Sequence, residues 1–125
     1  MNVNKEKLLL ILLILVFIGI AILSLLPPKS MEEIGKHDKI NHFIAYLVLS
    51  FNFGLVVKKL KTFLSCLPVL ISYGLLLEYC QGFVPGREQS WLDALANSVG
   101  VFTGFVLFFI SSKFRVWLSN SMKRF

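Results

Sequence analysis

The sequence predicts an all-α membrane protein: a four-transmembrane-helix bundle with short loops, both termini in the cytoplasm. Three observations lead there. Four apolar runs each approach the ~20 residues a helix needs to cross a bilayer. Of the 125 residues, 56% are hydrophobic and only 16% charged, too few for an aqueous exterior, and the charges crowd into the segments between the runs. The lysines and arginines are also unevenly divided between the two sides that four antiparallel spans would create.

The first run, Leu8–Leu26, is nineteen residues without a charge, closed by Pro27 and Pro28. Lys5 and Lys7 precede it as they would in a secretory signal. Its apolar stretch exceeds the roughly 7–15 residues of such a signal and no A-x-A-like site follows, so it reads as an uncleaved helix. The second run is Ile40–Val57, the third Thr62–Val84 with Pro68 as a candidate kink, and the fourth Trp91–Ser112. Linkers of about thirteen, four and six residues make consecutive helices antiparallel neighbours. Nothing outside these runs is long enough for a second domain, so residues 1–125 form one integral membrane unit.

Orientation follows from counting cations. Lys5, Lys7, Lys58, Lys59, Lys61, Lys113, Arg115, Lys123 and Arg124 fall on one side; Lys29, Lys36, Lys39 and Arg87 fall on the other. Positive-inside places the first side in the cytoplasm. Every acid except Glu6 is on or near the opposite, outer side. Trp91 and Trp117 bracket the fourth span as interfacial anchors. The segment Lys113–Phe125, basic with Trp117, Leu118 and Phe125, reads as an amphipathic tail lying on anionic lipid. The net charge of +6 therefore serves insertion, and no nucleic acid partner is implied. Cys66 and Cys80 lie fourteen residues apart on one helix, roughly 21 Å and beyond disulfide reach, so they read as packing thiols.

Polar residues within or beside the spans carry the functional signal, because an ionisable group in hydrocarbon costs a few kcal/mol or more. In the second helix Asp38, His42, Tyr46, Ser50 and Gly54 recur every four residues as a polar or small stripe. Asp38 and His42 are spaced to pair and to hold the imidazole in one tautomer. In the third helix Glu78 and Gln81 share a face with Gly74. Counting back from Val84, Glu78 lies about 9 Å inside the boundary, so it must be neutral, paired or facing water. Arg87 in the Val84-Pro85-Gly86-Arg87 turn is its expected partner, and its guanidinium also suits a phosphate or carboxylate. In the fourth helix Asp93, Asn97, Gly100 and Gly104 make one stripe that includes a GxxxG. The glycines admit a neighbouring backbone and turn Asp93 and Asn97 toward protein. Asp93 or Ser90 is placed to cap that helix. His37 sits in a charged loop and reads as solvated.

The candidate binding set is thus Asp38, His42, Tyr46, Glu78, Gln81, Arg87, Asp93 and Asn97, with His42, Glu78 and Asp93 as the candidates for acid–base catalysis. There is no phosphate-cradling glycine loop, no C-x-x-C, no H-E-x-x-H and no G-x-S-x-G. A metal at His42, Glu78 and Asp93 is conceivable, but one histidine without a local ligand pair is no metal motif; no metal or cofactor is expected.

Taken together, Asp38-Lys39-Ile40-Asn41-His42-Phe43-Ile44-Ala45-Tyr46, Glu78-x-x-Gln81, Pro85-Gly86-Arg87 and Asp93-x-x-x-Asn97-x-x-Gly100-x-x-x-Gly104 resemble the VanZ family. These are small bacterial multi-pass proteins named for one linked to teicoplanin resistance. The resemblance spans the second to fourth helices; the first agrees only in character. It implies a bacterial cytoplasmic-membrane protein with a role in the envelope or in the glycopeptide response. Three functions stay open on the residues: an outer-face site for membrane lipid or a lipid-linked envelope precursor, a hydrolase or transferase acting on such a substrate with His42 as base and Arg87 as phosphate clamp, and a polar network that only holds helices together.

Overall fold

The computed structural model describes residues 3–27 and 38–122, all but the side chains of residues 117, 118, 121 and 122. The described residues form four helices: α1 (Val3–Leu25), α2 (Asp38–Val57), α3 (Leu60–Gln81) and α4 (Trp91–Met122). All four are long and apolar enough to cross a membrane. The expectations for Lys29, Lys36, His37, Lys123, Arg124 and Phe125, and for the Trp117 and Leu118 side chains, lie outside what is described.

The helix ends differ from those expected. Alpha-helical geometry starts earlier in α1, α2 and α3, because flanking Asn, Lys and Asp residues join a helix readily once its apolar body is fixed. The α3 helix stops at Gln81, and its last turn tightens through i→i+3 bonds from Gly82, Phe83 and Val84 to the carbonyls of Tyr79, Cys80 and Gln81. It runs through Pro68 without interruption. The largest correction is at the C-terminal end, where residues 113–122 continue α4 without a break and are not a separate segment. No glycine or proline occurs between residues 105 and 122 to stop it. At 32 residues α4 is roughly 48 Å long, well beyond a hydrocarbon core of about 30 Å.

The most extensive helix pair is α2 with α4. A Cβ on Gly100 would collide with the Phe43 carbonyl oxygen, and one on Gly104 with that of Leu47. The α2 backbone therefore lies directly on the glycine stripe, as GxxxG packing requires. Ser50 Oγ donates to the Val101 carbonyl at 2.6 Å across this seam. Below it Phe63 of α3, fully buried, stacks on Phe108 and meets Phe53 edge-to-face and Phe105 at a tilt.

By contrast α1 buries only Ile20 and Ser24. Tyr73 of α3 stacks on Phe17 at 4.0 Å and donates its hydroxyl to the Phe17 carbonyl at 2.6 Å. At one end Lys58 meets Glu6 at 2.7 Å. The other end gathers the starts of α2 and α4, the ends of α1 and α3, and the α3–α4 loop. Cys66 and Cys80 are both free thiols.

Candidate functional site

All eight candidate residues collect at that second end; of the five that come from the α2 and α4 stripes, His42, Tyr46, Asp93 and Asn97 are buried and Asp38 is half-buried. His42, Tyr46, Glu78, Gln81, Asp93 and Asn97 are each 7% exposed or less. The close α2–α4 approach sets their register. His42 Nδ1 lies 2.9 Å from Asn97 Oδ1. Asn97 Nδ2 points the other way, donating to the Gly74 carbonyl of α3 at 3.5 Å. That second contact sets the amide oxygen toward the ring, an arrangement that suits an Nδ1–H donor. His42 Nε2 stands 3.6 Å from Asp38 Oδ1, the expected i,i+4 pairing at ion-pair rather than hydrogen-bond distance. Asp93 faces the same group, with Lys39 Nζ 3.7 Å from its Oδ1.

Arg87 does not pair with Glu78. The Val84-Pro85-Gly86-Arg87 segment closes with a 3.1 Å bond from the Arg87 N–H to the Val84 carbonyl, and Gly86 has φ 80°. Proline second and a left-handed glycine third define a type II turn. It sends the guanidinium across to the end of α1. There Arg87 Nε donates to the Leu26 carbonyl at 2.9 Å and its Nη2 to that of Leu23 at 3.3 Å. These are the orphan carbonyls at the negative end of a helix, where a cation is favoured.

Glu78 finds the opposite helix end. Its Oε1 accepts the Ser90 backbone N–H at 2.6 Å, and Ser90 Oγ accepts from the Asp93 N–H at 3.3 Å. Ser90, not Asp93, is the N-cap of α4. In a capping box the acid three residues into the helix would reach back to the cap N–H. Here Glu78 of α3 takes that part, which frees Asp93, the residue at that position, to turn toward Asp38 and His42. With α3 ending at Gln81, Glu78 is three residues, about 4.5 Å, from the helix end.

A cavity of about 430 Å³ opens beside this cluster. Asp38, Asn41, His42, Tyr46, Gln81 and Arg87 supply its polar lining. Ile20, Leu23, Ile44 and Ala45 make the rest largely apolar, with Ser24 among them. Two lining residues hold buried groups without a hydrogen-bond partner, the Tyr46 hydroxyl and Gln81 Nε2. Glu78 Oε2 and Asp93 Oδ1 also lack one.

Among the described residues, those grouped closely enough to hold a metal are not His42, Glu78 and Asp93 but Asp38, His42 and Asp93, one ligand atom from each lying within 4.8 Å of the others. Glu78 is drawn off by Ser90. The contributions of α1, Lys39 and Asn41 went unrecognised in the sequence. Asn41 shares the Asp38–His42 face at i+3, and Ser24 is the polar residue near the end of a nearly unbroken aliphatic run; both were available signals.

The family model VanZ/LLP1 matches residues 7–112, which includes nearly all of α1 and every residue of the site. The chain belongs to the VanZ/LLP1 family. The match extends the family likeness from the second, third and fourth helices to the first, consistent with α1 walling the cavity. No curated protein and no solved structure matches this VanZ/LLP1 chain. As a family member with four span-length helices, it is a multi-pass membrane protein.

Proposed function

We propose that this VanZ/LLP1 protein sits in the bacterial cytoplasmic membrane with both termini inside. In that orientation its cavity, at the outer face, binds the head group of an anionic or lipid-linked envelope component. The observation that carries this reading is the pair of buried donors without partners, Tyr46 Oη and Gln81 Nε2, both on residues lining one cavity. A buried polar group left unsatisfied costs about 1–3 kcal/mol, so two together mark a place where an oxygen-rich group belongs. Arg87 adds positive charge at the rim, and the aliphatic side formed by Ile20, Leu23 and Ile44 suits the first part of a lipid chain. By holding such a component the protein changes what the envelope presents, and teicoplanin susceptibility is the cellular phenotype to follow.

The test is lipid extraction and mass spectrometry of protein purified in mild detergent. A phosphate-bearing lipid should be enriched over the bulk extract and fall at least several-fold in Gln81→Leu and in Arg87→Ala. A lipid profile equal to the bulk, or unchanged in both variants, rejects the reading. Lipid that is chemically altered by the wild type and left intact by His42→Asn would establish the hydrolase or transferase class instead.

A further inference from the structure

At the edge of the lipid cavity, and carried by different observations, the structure holds a second feature. We propose that Asp38, His42 and Asp93 hold a divalent first-row transition cation, with Zn²⁺ the best match. The three come from α2 and α4, and one ligand atom from each lies within 4.8 Å of the others. Sequence spacing has no metal motif here, because the set is completed only when Gly100 and Gly104 bring α4 onto the α2 backbone.

The first argument is the orientation of the histidine. With the Asn97 amide nitrogen turned to the Gly74 carbonyl, its oxygen suits an Nδ1–H donor, and Nε2 is the ring nitrogen turned toward the carboxylates. Nε2 stands 3.6 Å from Asp38 Oδ1, too long for a hydrogen bond and close to the separation of two ligands on one ion. A histidine whose far nitrogen donates to a fixed carbonyl oxygen while the near one is free is the arrangement metal-bound histidines use.

Asp93 supplies an independent argument. It is 5% exposed and its Oδ1 accepts no hydrogen bond. The nearest cation to it described, Lys39 Nζ, is 3.7 Å away on a side chain 54% exposed. A buried carboxylate is normally paired closely or bound to metal. Around a tetrahedral Zn²⁺ with bonds of about 2.0–2.2 Å, neighbouring ligand atoms sit roughly 3.4 Å apart. Asp38 and His42 are already near that separation, and a turn of the Asp93 carboxylate closes the third side. Two carboxylates and one imidazole balance the charge of a divalent ion, and imidazole nitrogen favours Zn²⁺ over Mg²⁺ or Ca²⁺. Asp38 and His42 also line the cavity, so the ion would border it and leave its fourth position to water or a ligand oxygen.

Zn²⁺ alone is the probe, titrated into chelator-stripped full-length protein in detergent against a chromophoric competitor. One Zn²⁺ per chain is expected. Asp93→Asn and His42→Asn should abolish it, and Asn97→Ala should weaken it by about 10–100-fold through the lost orientation of the ring. Lys39→Ala should tighten binding several-fold, since the ammonium competes for Asp93; this variant removes an exposed side chain and keeps the test valid if the buried ones misfold. Cys66→Ser/Cys80→Ser should bind as the wild type does. No stoichiometric Zn²⁺, binding lost with the two thiols, or affinity unmoved by both Lys39→Ala and Asp93→Asn would overturn the proposal. So would ring ¹⁵N shifts showing His42 protonated on both nitrogens in the Zn²⁺-treated protein.

Discussion

Between α2 and α4, backbone meets backbone: Gly100 and Gly104 lie against the Phe43 and Leu47 carbonyls, and His42–Asn97 and Ser50–Val101 bond across the contact. Along α1 only Ile20 and Ser24 are fully buried, with Leu13, Val16 and Ala21 partly buried against the core, and the polar ties described fall at intervals along its length. Glu6 holds one end through Lys58, Phe17 the middle through Tyr73, and Leu23 with Leu26 the other end through Arg87. The first arrangement is rigid because close packing leaves nowhere to go. The second is a helix fastened by long side chains to a finished core, and it forms one wall of the cavity. In lipid, where apolar surface alone drives little association between helices, such ties and small-residue seams are what remains to specify contact.

Breaking the seam should have the largest effect. Gly104→Val places two methyl groups into the Leu47 carbonyl and Ser50 Cβ, and overpacking of this kind costs up to about 3 kcal/mol. Folded protein in the membrane should fall sharply, read by abundance against a co-expressed standard. An unchanged level would mean that the seam is not the core. Asn97→Leu comes next. It leaves His42 Nδ1 and the Gly74 carbonyl without their partner, a loss of about 1–2 kcal/mol by thermal unfolding in detergent. Its effect should be strongly non-additive with His42→Leu, because the two residues share one bond.

Arg87→Gln sharpens the contrast from the other side. The seam should keep its thermal stability to within about 0.5 kcal/mol, the ordinary range for exposed positions. The end of α1 should loosen, so that a cysteine introduced at Ser24 reacts with a water-soluble maleimide several-fold faster than in the Arg87 parent. If Arg87→Gln instead unfolds the protein, α1 is as integral as α4 and the distinction fails.

How much of this was legible in the sequence tracks the same division. The stripes of α2 and α4 were readable because polar and small residues every third or fourth position stand out in an apolar run, and their burial follows from the spacing. The partners of Arg87 and Glu78 were not. Each takes a backbone group at a helix end, Leu26 and Leu23 carbonyls for the cation and the Ser90 N–H for the acid, and backbone groups leave no mark in a sequence. The charge-to-charge pairing expected from proximity gave way to two charge-to-dipole pairings. The Asp38–His42–Asp93 grouping depends on the register of two helices far apart in the chain, which two glycines set only on contact. The continuation of α4 past Ser112 was missed because basic residues mark a membrane boundary without ending a helix.

The central claim is that this end of the bundle is a ligand site and not merely a bolt between helices. The most direct test is Tyr46→Phe, which removes a buried hydroxyl that has no hydrogen-bond partner and leaves the ring in place. Thermal unfolding and bound lipid are measured on the same purified sample. The account predicts a melting temperature equal to or above that of the wild type after delipidation, with co-purified lipid reduced several-fold. A lower melting temperature with lipid retained would contradict it, because the hydroxyl would then be holding the protein together and not a ligand.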